Sequence, residues 1–137
     1  MKKSAKNTNN ACACGSGKPF AECCQPILDG GVRAATAEQL MRSRYCAYSL
    51  HRIDYLRASW HADTCPDDLD EREMAQVKWQ ELRILDCQAG GVDDNSGTVT
   101  FRARFKINGK AGHLQETSRF VRQDGHWLYL DGDIAET

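Results

Sequence analysis

Residues 98–107 read Thr-Val-Thr-Phe-Arg-Ala-Arg-Phe-Lys-Ile. Val99, Phe101, Ala103, Phe105 and Ile107 alternate without a break with Thr98, Thr100, Arg102, Arg104 and Lys106. Successive side chains of a strand point to opposite faces, so the run predicts a strand with one core face and one wet face. That is the pattern of an antiparallel sheet covered on one side only. Asn108-Gly109-Lys110 follows with a hairpin-turn signal. A third strand is expected over residues 113–122, a turn at Asp124-Gly125, and a fourth strand over residues 127–131. Upstream, Gly90-Gly91 and residues 93–97 mark a turn, and a first strand is expected over residues 79–87.

Before Trp79 the period is that of helices. Thr36 is the expected N-cap, and Gln39 three residues later completes a capping-box pattern. Leu40, Met41, Tyr45 and Tyr48, with Cys46 or Ala47, keep a spacing near 3.6 to about Leu50. A short second helix is expected with Asp54 as its cap, carrying Tyr55, Leu56 and Trp60, and a solvated third over residues 67–76. Helices followed by an antiparallel meander make an α+β domain. Its helices pack on a curved sheet, a cone with room for a cavity.

The chain has 137 residues, and 41% are apolar, enough for one domain with a small appendage. A net charge of −1 gives no bulk attraction to nucleic acid. No apolar run reaches the length of a membrane span. Residues 1–10 are polar and charged, lead into no hydrophobic segment, and read as a disordered tail rather than a secretory signal or anchor. The expected compartment is the cytoplasm.

A different signal stands near the N-terminus. Residues 12–24 read Cys-Ala-Cys-Gly-Ser-Gly-Lys-Pro-Phe-Ala-Glu-Cys-Cys. Four thiols in so short a segment, Cys12, Cys14, Cys23 and Cys24, can surround one tetrahedral ion, and zinc holds four sulfurs at about 2.3 Å each. The segment has no core of its own, so the ion must supply its folding energy, on the order of 10 kcal/mol. Gly15 and Gly17 allow a tight backbone path. Lys18 could offset thiolate charge, and Phe20 is expected to pack the knuckle against a neighbour. Three rival readings fall short. A phosphate loop needs Ser or Thr after its Gly-Lys, where Pro19 stands. A disulfide framework needs an oxidising compartment. A redox pair is usually Cys-x-x-Cys, whereas Cys23 and Cys24 are adjacent. The expected cofactor is one zinc per chain. Cys46, Cys65 and Cys87 read as buried or incidental thiols. The expected organisation is a tail over residues 1–10, knuckle and linker over 11–30, and the α+β domain over 34–137.

Residues 12–24 resemble the SEC-C motif, named for its place at the C-terminus of the SecA translocation ATPase. That motif reads Cys-x-Cys-Gly-Ser-Gly-Lys, then a stretch with an aromatic, then Cys-Cys or Cys-His. The resemblance carries the ligand role onto Cys12, Cys14, Cys23 and Cys24. Residues 40–45, Trp60-His61, Ser118-Arg119-Phe120-Val121 and residues 124–132 resemble the middle domain of the bacterial YchJ family, of the nuclear transport factor 2-like superfamily. Together the two resemblances span about residues 11–133. They imply a knuckle followed by a nuclear transport factor 2-like cone, and no established activity. Thr117 departs from the family strand, which usually has Arg there.

In the third strand Leu114, Glu116, Ser118 and Phe120 share the apolar face, so Glu116 points inward and needs a partner or a proton. Arg42, Arg44 and His61 are the expected partners. The expected pocket gathers Arg42, Arg44, Tyr48, Trp60, His61, Glu116 and Ser118. Glu116 and His61 are its candidates for acid–base chemistry, set against a structural ion pair and a helix-end cation. Arg102, Arg104 and Lys106 form a basic row without interleaved aromatics, which argues against nucleic acid. Three functions follow. The leading one is an adaptor whose knuckle meets a protein of the chaperone, translation or secretion machinery. The alternatives are a small-molecule binder or enzyme in the cone and an RNA- or ribosome-associated factor. The wet strand faces also permit a homodimer.

Overall fold

Strand β2 (Ser96–Ile107) pairs with β3 (Lys110–Gln123) from Ser96 opposite Val121 to Ile107 opposite Lys110, with no shift in register. β1 (Val77–Ala89) flanks β2, and β4 (His126–Ile134) flanks β3, giving an antiparallel sheet in the order β1-β2-β3-β4. The structure is a computed structural model and describes residues 10–135, so the expected tail, apart from Asn10, lies outside the described residues. Asn108 and Gly109 adopt φ of 51° and 80°, and Asp124 and Gly125 adopt 52° and 81°. Positive φ at both central residues matches the right-handed twist of the strands they join.

The outer strands are irregular. β1 shifts register between Trp79 and Glu81 and again between Ile84 and Asp86, and β4 shifts opposite Arg119 and Phe120. Such bulges bend a strand and deepen its twist. The inner face buries Leu82, Val99, Phe101, Ala103, Phe120 and Trp127. The outer face is laced with charge pairs: Glu81 lies 3.5 Å from Arg104 and 3.8 Å from Arg83, and Arg119 binds Asp131 and Asp133.

Among the described residues five helical pieces precede the sheet: a 3-10 turn (Phe20–Glu22), α1 (Cys24–Leu28), α2 (Ala37–Leu50), α3 (Ile53–Ala58) and α4 (Glu71–Ala75). At the start of α2, Thr36 Oγ1 accepts from the Gln39 amide at 3.1 Å, and Gln39 Oε1 accepts from the Ala35 amide at 2.8 Å. The capping box thus reaches one residue further upstream than usual. The helix ends at His51, whose φ is 60°.

Eight of the fourteen residues of α2 are buried, so it is a central helix with three working stripes. Leu40, Ser43 and Ala47 lie toward α3, where Ser43 Oγ meets Tyr55 Oη at 2.7 Å. Met41, Arg44, Tyr45 and Tyr48 face the sheet. Arg42 and Cys46 face the knuckle, and Glu38, on the same stripe, holds Arg42.

Three expectations need correction. Asp54 does not cap α3; it lies inside the first turn and bonds Arg52, which stands at the cap position. The third helix is only α4, capped by the Asp70 carboxylate. None of its residues is fully buried and only Met74 packs against the core, so a charged segment gains too little to extend. The linker expected at the end of residues 11–30 is in part helix: Pro26 sits in the first turn of α1, where its missing amide costs nothing, and Leu28 is buried. The segment after α3 also adds to the sheet. The Tyr129 amide donates to the Ser59 carbonyl and the His61 amide to the Tyr129 carbonyl, each at 2.8 Å, which covers the β4 edge. Among the described residues no helix is long and apolar enough to cross a membrane.

Candidate metal centre and interior cavity

The knuckle is a folded-back loop. Ala11 bridges to Pro19, and the Cys12 amide donates to the Lys18 carbonyl at 2.8 Å. Gly15 and Gly17 turn the chain at φ of 81° and 86°. Gly15 is needed twice over, since a Cβ there would stand 3.0 Å from the Leu82 carbonyl oxygen of β1. This loop and the start of α1 bring the sulfurs of Cys12, Cys14, Cys23 and Cys24 within 4.8 Å of one another. Cys14 to Cys23 is 3.7 Å and Cys23 to Cys24 is 3.9 Å. Sulfurs sharing a tetrahedral ion at zinc–sulfur bond lengths stand about 3.8 Å apart. The four cysteines therefore could hold a metal ion. Cys12, Cys14 and Cys24 are buried in the same core as α2; Cys23 is partly exposed. Knuckle and α+β domain share one core, where the sequence suggested an appendage.

Two α2 residues stand at this centre that the sequence reading placed elsewhere. Arg42, expected in the pocket, donates from Nη1 to the Cys14 carbonyl at 2.7 Å, reaches the Cys14 sulfur at 3.9 Å, and binds Glu38 through Nε at 3.0 Å. It, rather than the exposed Lys18, sets a positive charge beside the thiols. Cys46, read as incidental, has its sulfur 3.5 Å from that of Cys12. The signal for both was the four-residue spacing of Glu38, Arg42 and Cys46, a helical stripe with no apolar residue except a thiol.

Crowded thiols share protons unequally. Hydrogen bonds from Cys12, then Cys24 and Cys46, hold Cys14 well below the usual thiol range. Cys14 pushes Cys12 up, but Cys24 and Cys46 outweigh it and bring Cys12 down to about 6. Cys24 is pushed up by its bonds to Cys12, Cys14 and Cys46, and Cys46 by its bonds to Cys12 and Cys14. Burial raises Cys23.

The second candidate lies on the sheet side of α2. A cavity of about 210 Å³ is walled by Met41, Arg44, Tyr48, Trp79, Glu116, Ser118 and Tyr129, among others. Glu116 Oε2 accepts from Ser118 Oγ at 2.8 Å and from Tyr129 Oη at 3.1 Å. Gly132 on β4 makes room for it, because a Cβ there would collide with the carboxylate. Arg44 is buried, donates to the Leu56 carbonyl at 3.0 Å and to Ser59 Oγ at 2.7 Å, and lies 4.8 Å and 4.6 Å from the ring centres of Trp60 and Tyr129. Among the described residues no carboxylate reaches it within ion-pairing distance. Burial lowers the Arg44 pKa and raises those of Tyr48 and Tyr129, and it pushes Tyr45 up to about 12.

The structure brings Arg44, Tyr48, Glu116 and Ser118 together. It leaves out Arg42, which serves the thiols. Trp60 reaches the cavity only through Arg44 and Tyr129. His61 is not a partner of Glu116: its Nε2 meets Gln123 Nε2 at 2.9 Å, and its Nδ1 accepts from the Asp63 amide at 3.0 Å. The expected ion pair of Glu116 with an arginine is replaced by two hydroxyl donors, because Arg44 is already spent on a carbonyl, a serine and two rings. Tyr129 and Gly132 were not read as site residues. Only the register of β4 across its bulge places them beside Glu116.

A groove of about 510 Å³ runs beside the knuckle, lined by Ala11, Ala13, Pro19, Phe20, Ala21 and Leu50, among others. A wider depression of about 680 Å³ between the segment after α1, α3 and β4 carries Arg33, Arg52, Asp54 and His126.

Residues 9–26 match the family model described as the SEC-C motif. Residues 36–132 match the one described as "YchJ, middle NTF2-like domain". The chain belongs to the YchJ family. In line with this membership, a UPF0225 protein of Chromobacterium violaceum is 46% identical over 135 residues, covering 97% of this chain and 99% of its own length. The solution structure of a SEC-C motif containing protein from Rhodopseudomonas palustris superposes with a TM-score of 0.80 at 36% identity, over 91% of this chain and 98% of its own. The crystal structure of a SEC-C motif containing protein from Psychrobacter arcticus gives a TM-score of 0.72 at 26% identity, over 93% and 83% respectively. The YchJ domain thus supplies α2 and the sheet, and the SEC-C motif supplies the four thiols.

Proposed function

We propose that this YchJ-family chain is a zinc-held protein-interaction module of the cytoplasm, where thiols stay reduced and free to bind metal. The donor set supports zinc: four thiolates at tetrahedral spacing, with no water-binding position, suit a structural ion rather than a catalytic one. Arg42 would offset the charge of the bound centre.

The groove beside the knuckle carries the interaction reading. Ala11, Ala13, Pro19, Phe20 and Ala21 form its knuckle side, and Leu50, 52% exposed at the end of α2, forms the other. A small apolar channel with a projecting leucine and a half-buried phenylalanine suits an apolar segment of a partner protein. A partner from the chaperone, translation or secretion machinery fits the SEC-C resemblance. RNA is disfavoured, since Arg104 and Arg119 already face acids.

The test compares full-length protein with Phe20→Glu and Leu50→Glu in co-purification, followed by direct binding of each recovered partner. Both variants should keep zinc and lose the partner. Undiminished binding by both would sink the reading. Deleting residues 1–30 is a poor test, because it strips buried Cys12, Cys14, Cys24 and Leu28 from the core.

A second reading rests on the cavity: a small ligand that hydrogen-bonds Glu116. At about 210 Å³ the space is below the range of most ligand pockets, so the ligand would be of about benzene size, on the order of ten heavy atoms at most. A fragment screen read by chemical shifts at Ser118 and Tyr129 tests it; shifts confined to the surface would rule it out.

A further inference from the structure

We propose that Cys46 is a reserve ligand of the metal centre, able to replace Cys23. The proposal rests on the reading that the knuckle binds metal.

Five thiols converge here. The Cys46 sulfur lies 3.5 Å from that of Cys12, the spacing of two ligands on one ion, and α1, which opens at Cys24, packs on the helix that carries Cys46. Cys12, Cys14 and Cys24 would then be the common base of two sets of four. Cys23 completes the outer set and Cys46 the inner one. The two differ in access. Cys46 is 1% exposed and fixed on a fourteen-residue helix, whereas Cys23 is partly exposed and follows the 3-10 turn. Its outward contact is Ser16 Oγ, at 3.1 Å. Solvent, an alkylating reagent or a docking partner meets Cys23 first. The exchange would balance: as the bond from Cys23 to the ion broke, one from Cys46 would form, Cys46 would give up its proton, and the departing Cys23 thiolate would take one up, leaving four sulfurs on the ion.

The test uses the full chain, cobalt(II) as the probe and zinc affinity by chelator competition. Wild type, Cys23→Ser, Cys46→Ser and the double variant are compared. Cys23→Ser should keep a four-sulfur cobalt spectrum and lose less than about tenfold in zinc affinity, whereas the double variant should fall to three sulfurs and lose more than about a hundredfold. Cys46→Ser alone should keep four sulfurs. Identical three-sulfur spectra for Cys23→Ser and the double variant would overturn the proposal while leaving the metal reading intact. A wild type that takes up neither ion would overturn both. A second measurement needs no refolding: zinc-loaded protein carrying Cys65→Ser and Cys87→Ser, which removes the other accessible thiols, is treated with iodoacetamide and weighed by native mass spectrometry. This background should retain zinc with Cys23 alkylated, and the addition of Cys46→Ser should lose it. Loss of zinc from the alkylated background would equally overturn the reserve role.

Discussion

On one stripe α2 meets a cluster of thiols; on another, less than a turn away, its own buried Arg44 shares a cavity with the half-buried carboxylate of Glu116. The two regions settle their polar groups differently. In the cavity the chain supplies every partner: Glu116 has Ser118 and Tyr129, and Arg44 has Leu56, Ser59 and two aromatic rings. In the knuckle the thiols have mainly one another. A polar cluster that satisfies itself can be structural without help. One that crowds like groups together needs an outside component to hold it.

The sharpest way to break this contrast is to remove the metal. Because the cysteines share a core with α2, chelation should lower the midpoint of thermal unfolding of the whole chain by at least about 10 °C, a loss of several kcal/mol for a domain of this size. A midpoint within a degree or two of the loaded protein would show the knuckle to be an independent appendage. Next in size is the core common to both regions. Phe120→Ala should cost about 3–5 kcal/mol in denaturant unfolding while metal content stays at one per chain. Gly132→Ala then probes the cavity alone: the new methyl displaces the Glu116 carboxylate from its two hydroxyl donors, at about 1–3 kcal/mol. Glu116→Gln, which keeps an acceptor in place, should cost less, and the reverse order would mean that the carboxylate is not seated as described.

The smallest effects sharpen the knuckle side. Arg42→Ala should weaken zinc binding about tenfold, and Lys18→Ala should leave it unchanged. Equal losses would return the charge-offsetting role to Lys18. Protons complete the series. Cys12, at about 6, and Cys14 are both held below the usual thiol range, so part of the charge is already present in the metal-free cluster at neutral pH. Zinc uptake at pH 7 should therefore release fewer than four protons. As pH falls below about 6, Cys12 protonates, the number released rises, and affinity drops. Calorimetry in two buffers of different ionisation enthalpy measures it; four protons at pH 7 would contradict the unequal sharing.

Much of the fold was legible because it is written in local patterns. The alternation of residues 98–107, the Asn-Gly and Asp-Gly turns and the Thr36 cap each need only neighbours in sequence. The bulges of β1 and β4 were not legible, since a bulge is a mismatch between two strands and leaves little trace in either. The same limit applies to the sites. Four thiols clustered in thirteen residues announce themselves, whereas Cys46 joins them from thirty-four residues beyond Cys12. Arg42 and Arg44 look interchangeable beside Ser43. Two positions on a helix differ by about 200° in direction, and that alone sends one to the sulfurs and the other to the rings.

Placing both stripes on one rigid helix has a thermodynamic consequence. If loading the ion shifts α2 enough to change the cavity's affinity for any occupant by some factor, the occupant must change the ion's affinity by that same factor. Traffic through either site would then be felt at the other, and metal supply and small-molecule supply would enter one equilibrium.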